Sequence, residues 1–156
     1  MPSRQRHLGP HVTTQPTGHC AEIRIFPSAT GTAWQAILAT ALAPRDRVLV
    51  LGSDGAARAW GQIAHQAGLR VELLETSTPK TIARRIGADR FGMLKAVLVV
   101  ADHVDPHVVR AALDTAFHDA LLLVDASTAP APDLAGAHAD IVLTDPRAGL
   151  ARLAAE

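Results

Sequence analysis

Carboxylates and imidazoles gather at two places in this chain. Asp102, His103, Asp105 and His107 set two histidines four residues apart among acidic side chains. Imidazole and carboxylate are ligands for zinc or another divalent ion. Pro106 interrupts the segment, so the i, i+4 geometry of a helix face cannot be assumed. The expectation is therefore a solvated polar loop and no metal. Nearer the start, His7, His11, His19 and Cys20 could clip a metal, but a proline-bearing stretch without apolar periodicity reads better as a tail. His19 and Cys20 are adjacent, and neighbours in an extended segment point apart, which argues against a thiolate–imidazole pair. Ser127 and Thr128 after Asp125 make no G-x-S-x-G elbow, and no G-x-G-x-x-G follows a strand-like run. Only two lysines occur, Lys80 and Lys95, so amine chemistry has few places to happen. Trp34 and Trp60 fall in helix-like segments and read as packing anchors.

The whole composition narrows the function classes. The chain has 156 residues, the size of one domain, which can bury roughly two-thirds of its unfolded surface without disulfide staples. Fifteen basic and fifteen acidic side chains balance, so no positive field favours nucleic acid or an anionic membrane. Cys20 is the single cysteine, which fits a reducing compartment. No signal-like apolar run follows Met1, and no stretch approaches a membrane span. A cytoplasmic protein is expected, with neither nucleic acid nor membrane as partner. There is no internal repeat and no low-complexity tract.

Residues 1–21 read as an extended or flexible N-terminal arm, and 22–156 as a single α/β domain. Strands are expected over 22–26, 47–51, 70–74, 95–100, 120–125 and 141–144. Helices are expected over 33–42, 55–67, 79–87, 106–118 and 146–155, with Pro79 in a first turn and Gly68 and Gly87 at exits. After a leading basic residue, runs such as Arg47–Leu51 (RVLVL) and Lys95–Val100 (KAVLVV) are apolar, as strands covered on both faces must be. Strand–helix alternation then predicts a three-layer α/β/α fold with a mainly parallel sheet of about six strands. Right-handed crossovers gather the strand C-termini on one edge. That edge is expected from Pro27–Thr32, Gly52–Gly55, Ala101–His107, Asp125–Thr128 and Thr144–Arg147.

Several segments carry a resemblance. Ile25 to Gln35 (IFPSATGTAWQ) is similar to F-P-A-S-G-T-G-A-W-E, and Leu42 to Leu49 (LAPRDRVL) to L-S-P-G-D-R-V-L. Lys95–Val100 is similar to K-A-V-x-V-V, Leu121–Asp125 to L-L-x-V-D, and Asp140–Leu150 falls where D-V-x-V-x-G-S-Q-K-G-L is found. His7-Leu8-Gly9-Pro10 echoes an N-terminal H-R-G-P. In this order and spacing, over about residues 22–150, the chain resembles the large domain of class V, pyridoxal-phosphate-dependent aminotransferases of the serine–glyoxylate type, fold-type I.

The resemblance implies a cofactor site only in part. Asp125 would be the partner of the pyridine nitrogen, and Thr30, Gly31 and Thr32 a residual phosphate cup, where a helix N-terminus favours an anion. The Schiff-base lysine position falls on Ala148, with Arg147 adjacent, and a guanidinium cannot replace an amine nucleophile. The aromatic stacking position falls on Ala56, beside Gly55. The N-E-T segment falls on Asp102-His103-Val104, which removes a hydroxyl. Neither Lys80 nor Lys95 is expected to reach the site. The family also carries a seventh, antiparallel strand between the first and sixth, and a C-terminal domain. Without them the sheet should show two bare edges or a repacked join, and bare edges invite pairing. The implied function is a non-catalytic pseudoenzyme or partner subunit, without cofactor, in a homo-oligomer or with a fuller homologue. Two alternatives stay open: transaminase or lyase activity completed by a partner's lysine, and a small-molecule or anion-binding module at the old cofactor edge.

Overall fold

In a computed structural model of the chain, residues 14–17, 20–24, 30–126 and 138–144 are described. His7, His11, His19, Ser127, Thr128, Arg147, Ala148 and the helix expected over 146–155 lie outside them.

The strands are β1 (Thr14–Thr17), β2 (Cys20–Arg24), β3 (Arg47–Leu51), β4 (Arg70–Leu74), β5 (Leu94–Val100), β6 (Leu121–Ala126) and β7 (Ile141–Thr144). Between them run α1 (Thr30–Ala41), α2 (Gly55–Gln66), α3 (Pro79–Ala88) and α4 (Pro106–Thr115). One sheet joins all seven strands in the order β1-β2-β7-β6-β5-β3-β4. Every neighbouring pair is parallel except β1 with β2. The α/β fold with a mainly parallel sheet is as expected, with one strand more than the reading allowed.

The extra strand is Thr-Gln-Pro-Thr, inside the segment read as an arm. It has no apolar alternation, and Pro16 would bar it from a sheet interior; at the outer edge a missing N–H is tolerated. β2 starts at Cys20 rather than residue 22, because Cys20 pairs with Thr17 of β1 and Ala21 with Ile141 of β7. The same pairing answers the question of the missing strand. β2 lies directly beside β7, parallel, from Ala21↔Ile141 to Arg24↔Thr144, so the join is closed within the chain.

Alternation along each strand feeds two cores. Val48, Val50, Leu98 and Leu123 pack toward α1 and α2 with Ile37, Leu38 and Trp60. Leu49, Leu51, Val97, Val99, Leu122 and Val124 face the layer of α3 and α4 with Ile82, Ile86, Val109 and Leu113. Each such side chain contributes about 1.5–3 kcal/mol on leaving water, which is why these runs could be read from sequence.

Short connections set the helix starts. Asp54 caps α2, its Oδ1 accepting from Ala57 N at 2.8 Å. Thr78 caps α3 and Asp105 caps α4, each followed by proline in the first turn. Gly52 leaves β3 at φ +123°, and a Cβ there would stand 3.2 Å from Ala57 Cβ, so α2 can begin this close to the strand only after a glycine. α4 stops three residues earlier than expected, where Phe117 takes φ +51° and His118 N donates back to Leu113 O at 2.9 Å. This is the left-handed helix exit that glycine usually fills.

Candidate functional site

The C-terminal ends of β3, β5 and β6 form the edge where ligands bind in such sheets. Asp125 sits near the end of β6, opposite Val100 of β5 and Leu143 of β7. Side chains alternate, so Asp125 shares the α1/α2 face with Leu123 while Val124 faces α3 and α4. There the Trp60 indole Nε1–H donates to Asp125 Oδ2 at 2.9 Å. Trp60 is 4% exposed, so it anchors the core as expected and also places a hydrogen-bond donor against the carboxylate. Sequence reasoning missed that second role. The available signal was that Trp60 follows Ala56 by four residues on α2, hence lies on the same helix face as the supposed stacking position.

A second pair spans the same edge. Asp54, beyond its capping bond, turns Oδ2 toward His103 Nε2 at 2.6 Å. That oxygen is shielded from solvent, and the approach falls short of an aligned hydrogen bond. His103 itself is half exposed. A carboxylate beside an imidazole can orient the ring for proton transfer.

The remaining sequence-derived residues are scattered. Asp105 Oδ1 accepts from His107 N at 2.9 Å, spending that carboxylate on the start of α4. His103 is drawn to Asp54, and Asp105 to its cap. Among the described residues no group of three or more His, Cys, Asp or Glu is placed to hold a metal ion. Thr30, Gly31 and Thr32 form the first turn of α1 rather than a loop ahead of it. Ala56 presents only a methyl group, packed against the α1/α2 core.

Neither lysine joins Asp125. Lys95 lies at the start of β5, at the opposite end of the sheet, where its Nζ donates to Gly92 O at 2.9 Å. Lys80 is in the first turn of α3, whose Ile82 and Ile86 pack on the sheet face away from Asp125. Pyridoxal phosphate, which the resemblance implies, needs an amine to be held covalently. The described residues supply the carboxylate but no amine on its face, so they do not fit a Schiff-base site.

At the N-terminal ends of the strands lies a different arrangement. Asp89, closing α3, accepts from Leu94 N at 2.7 Å, Met93 N at 3.1 Å and His118 Nε2 at 3.0 Å. His118 Nδ1 accepts from Ala120 N at 3.1 Å, which assigns the proton to Nε2. The two side chains are 7% and 5% exposed. Burial opposes the Asp89 charge, but the Leu94 N–H, His118 and the Met93 N–H outweigh it and hold the carboxyl below the usual aspartate range. On the edge strand, the Arg85 guanidinium bonded to Glu72 similarly lowers that carboxyl.

No family model matches the chain. It is 32% identical to serine–glyoxylate aminotransferase of Methylorubrum extorquens over 114 residues, covering 66% of this chain and 28% of that protein. It is 33% identical to the same enzyme of Hyphomicrobium methylovorum over 112 residues, 65% of this chain and 28% of that one. The chain thus spans under a third of the length of these curated relatives. Among solved structures, the ureidoglycine–glyoxylate aminotransferase of Bacillus subtilis superposes with TM-score 0.61 at 20% identity, over 80% of this chain and 39% of that one. The alanine–glyoxylate aminotransferase of Nostoc sp. gives TM-score 0.55 at 19% identity, over 72% and 32%. At such identities the structural likeness speaks for the fold. No helix among the described residues is long and apolar enough to cross a membrane.

Proposed function

From the premise that this is a partial, class V, fold-type I aminotransferase-like chain, we propose that it is non-catalytic and acts as a structural or regulatory partner, of its own kind or of a fuller homologue. The observation that carries this reading is the face of Asp125: Trp60 approaches the carboxylate there, and both lysines of the chain lie elsewhere. An aminotransferase-like fold without a reachable amine keeps the scaffold and loses the covalent step. Purified protein incubated with pyridoxal phosphate should give no visible band that borohydride bleaches. Intact mass after reduction should show no added pyridoxyl group. A reduced adduct on Lys80 or Lys95 would overturn the proposal.

Asp125, kept at the end of its strand, favours a second reading in which a fuller homologue donates the lysine across an interface. That reading requires the bleachable band in the mixture and in neither protein's separate preparation at matched concentration.

A further inference from the structure

The large apolar side chains most exposed among the described residues are Phe91 at 91%, Phe117 at 93% and Met93 at 50%, and all three belong to the N-terminal end of the sheet. Phe91 and Phe117 both line a cavity of about 580 Å³, one on the wall formed by the turn after α3 and the other on that formed by the turn after α4. Two nearly bare phenylalanines at one spot are unusual for a surface that meets only water. Phe117 moreover occupies a left-handed helix exit at φ +51°, so local backbone preference does not explain a bulky residue there. Charge divides between the same two walls. Arg90 and Lys95 flank Phe91, and Asp119 flanks Phe117.

We propose that this end of the molecule is an isologous contact between two copies of the chain. A two-fold axis would set the Phe91 wall of one protomer against the Phe117 wall of the other, with Arg90 opposite Asp119 twice over. A surface that carries basic and acidic halves around a shared apolar centre is its own complement. Area sets the strength. Phenylalanine rings bury about 150–250 Å² each, so with Met93 the pair of copies would remove roughly 800–1,200 Å² from water, near the lower limit for a specific interface. The dimer should therefore be weak and rapidly exchanging, dissociating in about the micromolar range or above. The surface lies at the opposite end of the strands from Asp125, so the proposal stands or falls independently of any cofactor binding.

Sedimentation velocity over a concentration series tests it. The wild-type chain should shift from monomer to dimer, and Phe117→Gly should weaken dimerisation at least about tenfold. Phe117→Gly suits the backbone at that position, so its melting temperature should hold or rise, which separates a lost interface from a lost fold. Arg90→Asp and Asp119→Arg should each weaken the dimer, and the double exchange should restore it. A chain that stays monomeric at all concentrations overturns the proposal. So does a dimer that these substitutions leave unchanged, or charge variants that fail to rescue one another.

Discussion

At the C-terminal ends of the strands, Asp125 and Asp54 each meet a ring nitrogen of the same chain, Trp60 and His103. At the N-terminal ends, a buried His118–Asp89 pair lies beneath phenylalanines that stand in solvent. The first edge carries the family's motif positions, and the polar groups described there answer one another within the chain. The second edge matches no functional motif, yet it presents the apolar surface. Likeness to a family thus points to one edge of the sheet, while exposed apolar surface and charge point to the other.

Substitutions should separate the two edges. The largest effect is expected at Asp89→Ala, which strands two backbone donors and His118 at a nearly dry site; charged hydrogen bonds of this kind contribute about 1.5–3 kcal/mol each. Allowing for partial rehydration, urea denaturation should show a loss of about 3 kcal/mol. The depressed Asp89 pKa adds a pH signature. Its contribution is complete above the unfolded aspartate value near 4 and should fade as pH falls through and below that value, a dependence that Asp89→Asn should flatten.

Trp60→Phe removes the indole N–H from the part-buried Asp125 while keeping an aromatic body, and about 1–2 kcal/mol should be lost. If the loss exceeded that for Asp89→Ala, the C-terminal edge would be the more firmly built of the two. Phe117→Gly should change stability by about 1 kcal/mol or less in the favourable direction, as the relief of left-handed strain outweighs the opposing rise in unfolded-chain entropy. Smallest is His103→Ala. A half-exposed imidazole–carboxylate contact contributes at most about 0.5–1 kcal/mol, so its melting temperature should barely move.

Much of this architecture could be read from residues alone. The strands through Ala96–Val100 and Leu121–Val124 announce themselves because double-sided burial leaves no polar position inside them to confuse the period. β1 did not, since Thr-Gln-Pro-Thr has no apolar signal and joins the sheet by its pairing with β2. The site was half legible. Asp125 at its strand end followed from the motif order, and the shortage of lysine from counting. The Trp60 bond to it did not, because the partners are 65 positions apart and meet only once α2 has docked on the sheet. The exposed pair Phe91 and Phe117 was invisible for a different reason. Aromatic residues are expected inside, and nothing local says that these two remain out.

Setting β2 beside β7 has a consequence for how the chain reaches this state. Ala21 must find Ile141, so the sheet's last parallel seam is a contact between early and late sequence. Such long-range closure slows folding more than it weakens the product. On a ribosome, which releases about 5–20 residues each second, the β1–β2 hairpin would emerge well before β7 and wait for its neighbour until the intervening residues are made. Until then its inner rim is open to any passing strand, the interval in which a chaperone has most to do.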